Sequence, residues 1–314
     1  MIKSIKAGFK QLKSFYNKSS LWTKIIVFVI VALIFTKIAN ENTPHMEGFS
    51  QNRRFVVKNN DELYDDFYCS VYDQLLYDTK KNDFEVTHIH DICKIDKTSN
   101  VLDLGCGKGH YVNFYNNKGA SCEGLDKSKA MIKSCRKAYP SCKFKLGKME
   151  NGMLYGPDTF SHAICLYFTI YYVKDKRKFF ENVYKWLKPG GYLILHMVNR
   201  DQFDPIIPPS NPLYIVSAQK YAKERLTKSQ VRFEDFDYKA KFSLYKNRNI
   251  GKFEETFTDD ATKHVRKNEH TFYMESQKNI LSKAKKIGFI LEGHANMVKC
   301  RYEYQYLYFL KKPK

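Results

Sequence analysis

Three glycines at alternate positions follow the short apolar run Val101-Leu102, in the stretch Asp103-Leu104-Gly105-Cys106-Gly107-Lys108-Gly109. Glycine has no Cβ, so the chain can turn sharply there and bring bare backbone N–H groups against a polar or anionic ligand at the start of the next helix. Such a loop also serves simply to pack a helix on a sheet, and its surroundings decide between the two. His110 to Lys118 reads as the following helix and Ala120 to Leu125 as a second strand ending in Asp126. That acid lies about twenty residues beyond the loop, where a carboxylate of a Rossmann-like unit accepts hydrogen bonds from a ribose diol. Later in the chain Tyr167 and Thr169 follow one apolar run, while His196 and Asn199 end another. In an open α/β sheet the carboxyl ends of the strands face the ligand. His196 has the side-chain type of a general base, with an unperturbed pKa of about 6.5, or of a structural histidine. Tyr64, Tyr68 and Tyr72, four apart, share one helix face and could pack a core or cover a cation.

These residues need elements to hold them, and the chain supplies an alternation. Asp61 to Asp78 and Phe84 to Cys93 read as helices entering the first strand, and Ser128 can cap a helix running through Tyr139. Cys142 to Leu146 and Ala163 to Phe168 read as a third and a fourth strand. Pro189 then ends a helix, Gly190 and Gly191 supply a turn, and Tyr192 to Val198 has the continuous apolar character of a buried parallel strand. Beyond it, aromatic and charged residues alternate through Val231 to Tyr245, Lys252 to Thr258 and His270 to Met274, which predicts a small antiparallel sheet. A helix over Glu275 to Ile287 and strands over Phe289 to His294 and Tyr302 to Leu310 return to the core.

The Asp-x-Gly-x-Gly-x-Gly loop, with its acid ahead of the glycines, resembles motif I of the class I S-adenosylmethionine (SAM)-dependent methyltransferases. Leu187-Lys188-Pro189-Gly190-Gly191 is similar to the turn before the fifth strand of their type 11, ubiquinone-methyltransferase-like group. The wording around the Tyr-Asp-rich first helix and Cys165 to Tyr172 also resembles methyltransferase-domain proteins of large DNA viruses. The resemblance implies an α/β, Rossmann-like fold: a seven-stranded, mostly parallel sheet with helices on both faces, plus a small antiparallel lid insertion over 200–274. It implies SAM as cofactor, with Asp103, Gly105, Gly107 and Gly109 around its methionine portion, Asp126 on the ribose, Met131 on the adenine and Tyr68 over the carboxylate and sulfonium. Lys148 stands where relatives accept the adenine amine and cannot accept it, leaving Glu150 or the Met149 backbone for that contact. Tyr167 and His196 are the expected catalytic residues. Ser161-His162 replaces an acid that relatives carry at the fourth strand, and the Asn/Asp-Pro-Pro-Tyr/Phe signature of exocyclic-amine methylation is absent. The expected acceptor is a small-molecule or lipid-like compound; RNA or protein methylation and an inactive SAM-binding scaffold are the alternatives.

The formal net charge of +20 fits either an anionic partner or the lysine-rich composition of an AT-rich genome. Its front is arranged, however. Lys3, Lys6, Lys10 and Lys13 oppose Ile2, Ile5, Phe9, Leu12 and Tyr16 as in a basic amphipathic helix over 1–20. Residues 21–39 are apolar over about 28 Å at roughly 1.5 Å per residue, which predicts a transmembrane helix, followed by a linker over 40–60 and the catalytic domain over 61–314. The lysines ahead of the span favour an N-terminus in the cytosol, which would put the domain across the membrane, but the chemistry of the domain argues the other way. SAM is a cytosolic cofactor, the eight cysteines lack a disulfide-framework spacing, and no Asn-x-Ser/Thr sequon follows the span, so a single-pass protein with its domain on the cytosolic side is the expectation. No Cys/His cluster has zinc spacing, and no metal is expected.

Overall fold

The computed structural model describes residues 19–41, 53–210, 219 and 222–314. The basic segment expected over 1–20 lies almost wholly outside them. Helix α1, Leu21–Glu41, exposes Trp22, Phe28 and Leu33. Among the described residues no helix is long and apolar enough to cross a membrane, so the transmembrane helix expected over 21–39 is not supported.

Residues Gln51–Lys314 cluster as one compact unit. It opens with a strand, β1, Phe55–Asn59, inside the stretch expected to be a linker. Helices α2, Asp66–Leu76, and α3, Thr79–Cys93, follow, each started by an aspartate: Asp65 accepts from the Tyr68 N–H and Asp78 from the Lys81 N–H. The core then runs β2 (Asn100–Leu104), α4 (His110–Asn117), β3 (Ser121–Asp126), α5 (Lys129–Ala138), β4 (Lys143–Leu146), β5 (Phe160–Cys165), α6 (Thr169–Tyr172), α7 (Lys176–Trp186) and β6 (Leu187–Val198). Ser128 caps α5 as expected, accepting from the Met131 N–H at 3.1 Å. Four strands follow, β7 (Lys228–Arg232), β8 (Phe236–Tyr245), β9 (Ile250–Asp259) and β10 (Val265–Tyr273), then α8 (Gln277–Ile287), β11 (Ile290–Asn296) and β12 (Gln305–Lys311).

The main sheet has seven strands in the order β11-β12-β6-β5-β2-β3-β4, parallel from β6 to β4, with β12 antiparallel to both its neighbours. The expected seven-stranded, mostly parallel sheet with its closing terminal pair is therefore present. Alternation along β2 explains why it holds two cores. Leu102 and Leu104 face α7 and α8 with Phe179 and Ile280, while Val101 faces α3, α4 and α5 with Ile89, Val112 and Ile132. Where relatives carry an acid, the Ser161 hydroxyl accepts from the Asn100 N–H at 2.9 Å and His162 reaches the Cys93 carbonyl at 3.0 Å, so two neutral groups tie β5 to its neighbours.

The second sheet has five strands in the order β1-β10-β9-β8-β7. Its members are antiparallel except that β1 runs parallel to β10, Phe55 opposite Val265 and Asn59 opposite Glu269. Period-two burial gives it an inner face: Tyr238, Ala240 and Phe242 on β8, and Arg266, Asn268, His270 and Phe272 on β10, are all buried. It is tied to the core by Arg266, which reaches Asp65 at 2.8 Å and the Leu63 carbonyl at 3.1 Å, and by Lys176, which donates to the Tyr273 carbonyl at 2.7 Å.

Candidate active site

Gly105, Gly107 and Gly109 all adopt positive φ, at +73°, +51° and +77°, the left-handed region that glycine enters freely. Their surroundings differ. A Cβ on Gly105 would lie 2.5 Å from Thr169 Cγ2, and one on Gly109 would lie 2.8 Å from the Phe144 ring, whereas at Gly107 the nearest atom is the Tyr72 hydroxyl at 3.8 Å. Gly105 and Gly109 are therefore glycine for packing, and Gly107 leaves room beside the backbone.

Two cavities open around this loop. The larger, about 230 Å³, is bordered by Asp103, Tyr64 just ahead of α2, Tyr68 and Tyr72 on it, Tyr167 and the inner face of the second sheet; the smaller, about 80 Å³, is bordered by Asp126, Met131, Met149 and Glu150. They meet at Tyr64, Tyr72, Gly105, Gly107, Thr169 and Tyr172, which border both. The sequence-predicted loop residues Asp103, Gly105 and Gly107, together with Asp126, Met131, Met149, Tyr68 and Tyr167, are thus brought to one place. Gly109 does not border either cavity; it starts α4.

The two acids are set differently. Asp126 at the end of β3 accepts the Gly107 N–H at 3.0 Å and the Ser128 N–H at 2.8 Å, which fixes its carboxylate and leaves lone pairs toward the smaller cavity. Asp103 on β2 is buried, and its Oδ2 has no hydrogen-bond partner. Burial, with Asp126 and Glu85 nearby, pushes its carboxyl up to about 8. A buried carboxyl with an open oxygen is costly unless a cation meets it. Lys148 is engaged elsewhere: it shares Asp61 with Lys127, both at 2.7 Å, and these two lysines hold the Asp61 carboxyl down at about 2.

At the junction of the cavities a hydrogen-bonded chain crosses from the core to the second sheet. Tyr64 donates to the Tyr172 hydroxyl at 2.7 Å, Tyr172 contacts His270 Nδ1 at 2.6 Å, and His270 Nε2 contacts Glu255 Oε2 at 2.6 Å. Glu255, wholly buried on β9, also receives Tyr68 at 3.1 Å, Tyr238 at 2.8 Å and Asn268 at 3.2 Å. Tyr68 therefore lines the larger cavity with its ring while its hydroxyl braces an acid. Sequence reasoning singled out Tyr64 and Tyr68 but passed over Tyr172, His270 and Glu255. Only the alternation through His270 to Met274 hinted that one of these faces inward.

Tyr167 borders the larger cavity beneath the Lys81 ammonium, 5.6 Å from its ring, and holds φ at +50°, a left-handed conformation for a bulky residue at a strand end. His196 lies elsewhere. It is fully buried, its Nε2 is 3.0 Å from Gln305 Oε1 and its Nδ1 is 3.7 Å from Glu85 Oε1, and it borders neither cavity. The crevice rule selects a strand end, but side chains alternate between faces there, and this one points to β12 and α3. Burial holds His196 down at about 4, below the roughly 6.5 of an unfolded chain. As pH falls from about 6.5 to about 4, the unfolded chain takes up a proton that the folded one refuses, so stability drops, by up to about 3 kcal/mol. Urea titrations across this window should show that loss, and His196→Gln should flatten it; an unchanged slope would place the loss at another group.

Residues 102–195 match the family model described as a methyltransferase domain. A viral protein described as a methyltransferase, from Invertebrate iridescent virus 6, is 26% identical over 122 residues, covering 37% of this chain and 45% of that protein. Trans-aconitate 2-methyltransferase of Escherichia coli is 30% identical over 99 residues, covering 31% of this chain and 38% of the enzyme. The chain thus spans less than half the length of these relatives. Among solved structures, the CcbJ methyltransferase from Streptomyces caelestis superposes with a TM-score of 0.61 at 14% identity, over 80% of this chain and 98% of that one. A SAM-dependent methyltransferase from Clostridium acetobutylicum gives 0.59 at 15% identity, over 79% and 98%. The fold is that of SAM-dependent methyltransferases, and residues 102–195 are similar to the methyltransferase-domain family.

Proposed function

We propose that the protein binds SAM across its two cavities and transfers the methyl group to a small-molecule acceptor held between the core and the second sheet. The observation that carries this reading is the meeting of the cavities at Gly105, Gly107 and Tyr172, with the open oxygen of Asp103 on one side and the fixed carboxylate of Asp126 on the other. The residues fit the cofactor: Asp103 offers an unpartnered acceptor to an α-ammonium, Asp126 offers lone pairs to a ribose diol, and Met131 and Met149 supply apolar surface for a purine. When bound, SAM supplies a sulfonium-activated methyl group. The chain's own work is to hold the acceptor in line with that carbon and to exclude water, as the buried aromatic walls do.

Titration calorimetry tests the cofactor assignment. Asp126→Ala should weaken SAM binding by about tenfold to a hundredfold, as expected for the loss of charge-assisted hydrogen bonds. No binding heat with the unaltered protein, or undiminished affinity in the variant, would sink it. Tritiated methyl transfer into separated metabolite, lipid, RNA and protein pools reads the acceptor; label confined to RNA would overturn the small-molecule assignment.

The proposal includes a membrane contact through the N-terminus, with the domain on the cytosolic side. Exposed Trp22, Phe28 and Leu33 and the lysines ahead of them support it. Full-length protein should float with anionic vesicles and a form lacking residues 1–39 should not; equal flotation would count against the tether.

A further inference from the structure

We infer that Tyr172, His270 and Glu255 form a proton relay, and that the acceptor is consequently a hydroxyl on a flat aromatic frame, methylated on oxygen. The inference rests on the reading just given and adds a substrate class to it.

Tyr172 borders both cavities, so its side chain stands at the junction where donor and acceptor would meet. It receives Tyr64 at 2.7 Å and lies 2.6 Å from His270 Nδ1. With the His270 Nε2–H donated to Glu255, Nδ1 is an acceptor and takes the Tyr172 proton. That leaves one lone pair on the Tyr172 oxygen, able to accept from one further donor. Glu255 is a buried carboxylate with four neutral or histidine donors around it, and His270 is the partner that can become a cation beside it. The order of groups is that of a nucleophile-activating triad, with an acid that orients and stabilises the imidazolium. Here Tyr172 passes a proton along rather than attacking.

The step balances as follows. The acceptor oxygen bonds to the methyl carbon as the S–CH3 bond breaks, and that electron pair returns to sulfur. The acceptor's hydroxyl proton passes to Tyr172 Oη, the Tyr172 proton passes to His270 Nδ1, and the imidazolium later releases it to solvent. A neutral amine has a free lone pair and needs no such relay; a hydroxyl does. The walls next to the relay are Phe168, Phe253 and Phe272, which suit a flat apolar ring better than a polyhydroxylated one.

Two phenols separate this relay from a structural brace. At about pH 8, 4-nitrophenol is already ionised and 4-methylphenol is not. The unaltered protein with saturating SAM should methylate both. Tyr172→Phe and His270→Gln should keep the 4-nitrophenol rate within about threefold and lose about a hundredfold or more on 4-methylphenol, the span expected for general-base catalysis. A merely structural role would lower both rates together, and that outcome overturns the relay. Retained transfer to 4-methylphenol in the variants also overturns it. A protein that binds SAM calorimetrically yet transfers to neither phenol refutes the acceptor class while leaving the cofactor assignment standing.

Discussion

Gly107→Leu is expected to leave the domain folded and to reduce SAM binding by a hundredfold or more. The backbone there holds φ at +51° and the nearest atom to a Cβ is 3.8 Å away, so a side chain meets no packed neighbour and projects beside Tyr72 at the junction of the two cavities. The left-handed conformation costs a non-glycine residue about 1–2 kcal/mol, which a domain of this size tolerates. The leucine would then occupy the space proposed for the cofactor. Gly109→Leu should behave oppositely, because its Cβ would fall 2.8 Å from Phe144 and 3.1 Å from Cys135 Sγ in the core. Circular dichroism and calorimetry together decide the matter. A cooperative melt with no SAM heat is the result expected for Gly107→Leu, and unimpaired binding would remove the loop from the site.

The second large effect belongs to Asp103. With its carboxyl pushed up to about 8, most of it is protonated at neutral pH before SAM binds. An ammonium placed at the open Oδ2 favours the carboxylate, so binding should expel a proton. Affinity should therefore rise with pH, by up to about tenfold per unit, from about pH 6 toward 8, where the site is ionised beforehand. Measured heats should change with the ionisation enthalpy of the buffer. Asp103→Asn keeps the shape but cannot ionise; it should lose about a hundredfold in affinity and release no proton. Proton release that persists in Asp103→Asn would assign the titration to another group.

Much of this was legible in the sequence for a physical reason. Strands such as Val101 to Leu104 and Tyr192 to Val198 are buried on both faces and so are nearly continuously apolar, and glycines mark where the backbone must turn. Tyr64, expected on the same helix face as Tyr68 and Tyr72, lies ahead of the cap Asp65, whereas the loop and Asp126 followed from spacing, as did those two tyrosines on α2. The relay did not, because Tyr172, Glu255 and His270 sit on three elements, 98 residues separating Tyr172 from His270, and each looks ordinary in its own segment. His196 drew attention by standing at a strand end, yet which face a side chain takes depends on register. Strand β1 was hidden too: Phe55-Val56-Val57-Lys58-Asn59 is short, partly exposed and flanked by polar residues, and only its distant partner makes it a strand.

That partner has a consequence for how the chain assembles. Strand β1 leaves the ribosome early, but β10, which must accept it, follows about two hundred residues later. Parallel pairing at such separation closes a long loop and is slow to form. The inner face that carries Glu255 and His270 is therefore completed only after the five parallel strands around the glycine loop have been made, and before the terminal pair β11 and β12 closes the main sheet. A nascent chain released before β10 would hold the glycine loop and Asp126 but neither the relay nor a covered aromatic wall, and β1 would remain an unpaired strand free to join another chain.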